Sequence, residues 1–134
     1  MKRALGVLAV AMALVLATGC EPTATIDAHA AAGCDWTTFY GKVTPKDATP
    51  KVVVQRTVGG KWVDWKWYES WLTSAQAHVI TAPVDKSDGT FQVEIANDPA
   101  NAARLSGSIH VRVRTNGGQA GPGFYVAIPD ASCV

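Results

Sequence analysis

The residues of this chain best suited to chemistry are aromatic. Four of its five tryptophans fall in WVDWKWYESW, residues 62–71, with Tyr68 among them. Flat rings at such density suit stacking on sugar faces or on a protein partner. Trp65, Trp67, Tyr68 and Trp71 are therefore the candidate ligand-binding residues. The same rings could instead be core, since each large aromatic buries about 150–250 Å² and a small domain needs one or two at its centre. Trp36 and Trp62 are the expected core pair. Exposed together, the others would form a patch of roughly 400–600 Å², at or above the largest on a typical monomer. Buried, they would be covered by the segment from Trp71 to Val84.

Strand alternation bears on that choice. Along an unbroken strand Val63, Trp65 and Trp67 share one face, while Trp62, Asp64, Lys66 and Tyr68 share the other. Asp64 and Lys66 mark the second face as wet, which conflicts with a core Trp62. A β-bulge near Val63-Asp64 would resolve the conflict by turning Trp62, Trp65 and Trp67 to one side.

Catalytic spacings are missing. The chain has no His-Glu-x-x-His, Gly-x-Ser-x-Gly or Ser-x-x-Lys and no phosphate loop. His29, His78 and His110 are scattered, and no Cys/His cluster has metal spacing. Carboxylate pairs such as Asp64 with Glu69 arise by chance. The expectation is a protein that is not an enzyme and uses no cofactor or metal. GGQAGPG, residues 117–123, joins two strands and opens no helix, so it reads as a mobile hairpin loop and not as an anion cradle. His110, Arg112 and Arg114 alternate as a basic stripe. Either acids such as Glu94 on a neighbouring strand balance it, or it meets an anionic cell-wall polymer.

The ends of the chain say where it goes. MKRALGVLAVAMALVLATGC has a basic start and an uncharged apolar run, Ala4 to Ala17, which is the pattern of an export signal. Ala17-Thr18-Gly19-Cys20 resembles a bacterial lipobox, which implies a signal peptide over 1–19, lipidation at Cys20 and a membrane anchor on the outer face of the cell membrane. The alternative is simple secretion after cleavage at Ala28-His29-Ala30. Three cysteines are an odd number for an exported protein. Lipidating Cys20 leaves Cys34 and Cys133, expected as a disulfide closing a loop of about 100 residues, worth roughly 4–5 kcal/mol in the chain-entropy model. Two buried free thiols are the other possibility. Without Lys2 and Arg3 the chain carries 10 basic against 11 acidic residues, so no basic excess points to nucleic acid.

Those features need a scaffold, and the period-two pattern supplies one. Residues 20–33 are small, polar and alanine-rich and read as a lipidated cysteine followed by a flexible tether. Residues 34–134 form one domain. Strands are expected at Phe39–Val43, Val52–Arg56, Trp62–Glu69, His78–Thr81, Phe91–Ile95, Ile109–Arg114 and Phe124–Ile128. Val58-Gly59-Gly60-Lys61 is a hairpin turn, and a single helical turn is placed within Asn97–Ser106. About seven short strands and no long helix predict an antiparallel β-sandwich.

Five short motifs add a resemblance. Gly41-Lys42-Val43-Thr44-Pro45, Val52-Val53-Val54-Gln55-Arg56, Gly59-Gly60-Lys61-Trp62, Asp88-Gly89-Thr90-Phe91 and Arg112-Val113-Arg114 occur in that order. From Tyr40 to Ile128 the chain resembles bacterial exported immunoglobulin-like domains, departing between Trp65 and Val84. The resemblance implies an Ig-like sandwich with Trp62 in the core, acting as a spacer or adhesive module without catalysis. An envelope protein or a cell-wall glycan is the implied kind of partner.

Overall fold

A computed structural model describes residues 23–68, 77–96 and 107–129. Cys20, Cys133, Trp71, the side chain of Tyr68 and the helical turn expected within 97–106 lie outside the described residues.

Ten strands run in chain order: β1 Thr25–Ala32, β2 Trp36–Thr44, β3 Lys51–Val58, β4 Lys61–Asp64, β5 Lys66–Tyr68, β6 Ala77–Val79, β7 Thr81–Pro83, β8 Thr90–Ala96, β9 Gly107–Thr115 and β10 Phe124–Ile128. All described pairings are antiparallel, and no helix occurs among the described residues. One sheet has the order β1-β2-β8. The other has the order β10-β9-β3-β4, with β7 also on β3. The seven expected strands are present, two of them broken in the middle. Inward residues of both sheets share one core, among them Phe39, Val43, Val52, Val54, Phe91, Val111, Val113 and Val126. This is the antiparallel β-sandwich that the alternation predicts.

β1 corrects the tether. Asp27 to Ala30 pair with Lys42 to Phe39, and Ile26 is buried while Ala28 and Ala30 pack against the core. Small residues suffice because the β1 backbone passes where a side chain at position 41 would stand. A Cβ at Gly41 would collide with the carbonyl oxygen of Asp27 and crowd the Phe91 ring. The first described residues are also tied down, for the Ala24 N–H donates to Gln119 Oε1 at 2.6 Å.

The two breaks share one hydrogen-bond triangle. The Val54 N–H donates to Ile80 O, the Ile80 N–H to Trp65 O and the Trp65 N–H to Val54 O, each at 2.9 Å. At Val54 the edge of β3 changes partner from β4 to β7, so the chain before Trp65 and after Ile80 stays in the sheet. Between them β5 and β6 leave as a separate two-stranded ribbon. The expected bulge at Val63-Asp64 is therefore replaced by a break at Trp65. Elsewhere the turn chemistry follows the residues. Gly59 and Gly60 both take positive φ, +58° and +78°, as a two-residue hairpin connection requires.

Candidate functional site

The two described tryptophans of the expected platform are not on the surface. Trp65 and Trp67 are buried, at 0 % and 2 % exposure, and neither presents a face to a ligand. Their rings meet edge-to-face at 5.5 Å, and Trp65 meets Phe39 in the same manner at 5.8 Å. The Trp67 indole N–H donates to the Ala96 carbonyl of β8 at 2.7 Å. The β5–β6 ribbon thus bridges from one sheet to the end of the other, and Trp67 within it and Trp65 at its base are the packing that holds it there. Trp65 Nε1 is buried with no acceptor among the described residues.

The other two described tryptophans also correct the expectation. Trp36, assigned to the core, is 52 % exposed at the start of β2, where Thr37 and Phe39 take the inward positions. Trp62 is half-buried but faces outward with Asp64, on the outer face of the β10-β9-β3-β4 sheet. Alternation through Asp64 up to the break leaves it on the face opposite Trp65, and no bulge reunites them.

That outer face gathers aromatic and charged side chains from four strands. His110 on β9 lies opposite Tyr125 on β10, and their rings stack at 4.5 Å and 12°. Thr57 on β3 pairs with Trp62, and the register carried one step on puts Thr57 opposite His110. A small residue at that central position lets the Trp62 indole reach across β3. It contacts His110 at 4.8 Å, and the Arg112 guanidinium sits 4.5 Å from its ring centre. Tyr125, His110, Trp62 and Arg112 therefore form one continuous row of planar groups.

A polar ladder braces the row. Arg112 Nε donates to Gln55 Oε1 at 2.8 Å, and Gln55 Nε2 donates to Asp64 Oδ1 at 3.0 Å. Arg114 Nε and Nη2 grip the two oxygens of Asp64 at 3.0 and 2.9 Å, a bidentate pair. Those hydrogen bonds from Arg114 hold the Asp64 carboxyl below its ordinary value, against a smaller opposing effect of burial. The same bonds raise Arg114. The basic stripe is thus balanced by Asp64, and only at Arg114. Glu94, the acid expected to balance it, belongs to the other sheet.

Elsewhere the candidates are sparser. On the outer face of β1 and β2, His29 stacks on Tyr40 at 5.5 Å with its Nε2 2.9 Å from Asp27 Oδ1, and all three are exposed. An open cleft of about 360 Å³ runs between Pro83–Asp85 and Thr90–Gln92, with Asp85 its one ionisable side chain. The 117–123 loop, expected to be mobile, is tied. The Thr115 N–H donates to Gln119 O and the Gly121 N–H to Val113 O, while Gln119 accepts from Ala24. Cys34 sits exposed in the turn between β1 and β2.

Comparison with family models, with curated proteins and with solved structures finds no match to this chain.

Proposed function

We propose that this chain is a non-catalytic interaction module of the cell envelope, an Ig-like domain exported and anchored by lipid at Cys20. One observation carries the reading. The outer face of the β10-β9-β3-β4 sheet presents a braced row of aromatic and cationic groups, an arrangement suited to binding.

The positions of the five motifs support the Ig-like part. Gly41 permits the approach of β1, Gly59-Gly60 turns the β3–β4 hairpin, and Gly89 takes a φ of +80°. Asp88 Oδ1 accepts from the Thr90 N–H and hydroxyl, and Arg112 and Arg114 build the ladder. The departing segment is the β5–β6 ribbon.

β1 supports the anchor. Cleavage after Ala30, the secreted alternative, would remove six residues of that strand, Ile26 of the core included. Cleavage before Cys20 leaves the strand whole. A Cys34–Cys133 disulfide belongs to the same proposal.

Two measurements test the reading. Cys20→Ala should release the protein from the membrane fraction; retention in that fraction would overturn the anchor. The full chain in detergent should adhere to isolated envelopes, and Tyr125→Ala with Arg112→Gln should abolish adhesion. Equal adhesion by parent and double variant would overturn the assignment of this face.

A further inference from the structure

We propose that the Tyr125–His110–Trp62–Arg112 row binds an acidic polysaccharide, a chain of sugar rings bearing carboxylate or phosphate groups. The inference rests on the reading above and adds the chemical class of the ligand.

The aromatic end of the row fits a sugar ring. Tyr125 is 70 % exposed on the edge strand β10, and it stacks on His110 from one side only. Its other side meets no ring among the described residues. A flat π-face of this kind complements the apolar C–H face of a pyranose, and the phenol supplies a hydrogen-bonding tip at the rim. Because His110 backs the ring, the ring is positioned before the ligand arrives, which limits the ordering cost of binding.

The cationic end fits an anion. Asp64 is the one carboxylate among the outward residues of these strands, and Arg114 occupies both of its oxygens. Arg112 spends Nε on Gln55, and its two terminal nitrogens have no acceptor among the described residues. Stacking on Trp62 holds the guanidinium plane in place. A fixed guanidinium offering two parallel N–H groups is the geometry that takes a carboxylate or a phosphate oxygen pair.

The spacing joins the two ends. Tyr125 and Arg112 are one strand apart and two residues along, which amounts to about 8 Å between their backbone positions. That is the step from one stacked ring to the acid group of the next unit in a linear glycan. The opposite sheet gives the contrast. Its exposed Trp36 and Tyr40 share their face with Asp27 and Glu94 as well as Lys42, so an acidic polymer meets repulsion there.

The test measures binding of the full chain in detergent to immobilised polygalacturonate, to its fully methyl-esterified form and to a phosphomannan. One or both acidic polymers should bind at least about tenfold more tightly than the neutral ester. The tighter of the two identifies the anionic group. Tyr125→Ala and Arg112→Gln should each weaken binding about tenfold, and Trp36→Ala should leave it unchanged. Urea midpoints equal to the parent's would show that the variants fold. Equal affinity for the neutral ester, no binding to either acidic polymer, or indifference to Tyr125→Ala would each overturn the proposal. Envelope adhesion that is lost in the double variant, without binding to either acidic polymer, would overturn this inference and leave the assignment of the face standing.

Discussion

Trp62 and Trp65 lie three residues apart on one stretch of chain and do opposite work. Trp65 is fully buried between Phe39 and Trp67 and forms one corner of the hydrogen-bond triangle at Val54. Trp62 lies across the outside of the same sheet, over Thr57, touching His110 and Arg112. Residue type does not separate them. Parity does, because side chains three apart on a strand point to opposite faces. Of the three described tryptophans in that dense stretch, Trp65 and Trp67 serve packing and Trp62 serves the surface.

The most severe way to break the inner half is Trp65→Ala. It would open a cavity at the junction of sheet and ribbon, and a loss of about 3–5 kcal/mol is expected from urea unfolding. A loss below about 1 kcal/mol would mean that the ring is not part of the packed centre.

Trp62→Ala should break only the outer half. Its stacking on Arg112 and His110 is worth roughly 1 kcal/mol at a partly exposed site, so the urea midpoint should move slightly while envelope adhesion falls. A stability loss as large as that of Trp65→Ala would erase the distinction between the two residues.

The smallest effect concerns the brace beneath Trp62. Asp64 is held below its ordinary value, so its contribution to stability is present above the unfolded-state value and is lost as pH falls through the folded-state value. Asp64→Asn should flatten the acid limb of the stability profile below about pH 4. The change should be under about 1 kcal/mol, because the pair is partly exposed and screened. An unchanged acid limb would show that Arg114 grips no charge that matters to folding.

How much of this was legible beforehand depends on how local each feature is. Alternation in Phe91-Gln92-Val93-Glu94-Ile95 and in Ile109 to Arg114 marks β8 and β9, because inward residues there are large and outward ones polar. Gly59-Gly60 marks its turn for a conformational reason carried by two residues. β1 escaped because Ala28 and Ala30 fill their inward places with almost no bulk, and that works only against Gly41 on another strand. The breaks at Trp65 and Ile80 arise from a three-way contact with Val54, which no short window contains. The row from Tyr125 to Arg112 depends on the register of four strands and on a small Thr57 between two of them. The stripe His110, Arg112, Arg114 was visible, but Asp64 and Trp62 as its partners were not.

The strand that replaces the tether also sets a leash. Ala24 is already fastened to Gln119, so a lipid on Cys20 would be joined to the folded body by four residue steps. Fully stretched, these span at most about 14 Å. A protein moored so closely cannot sweep the periphery of the cell wall. It would reach outward only by that leash and the length of its own folded body, and any polymer it holds would have to come within that distance of the membrane.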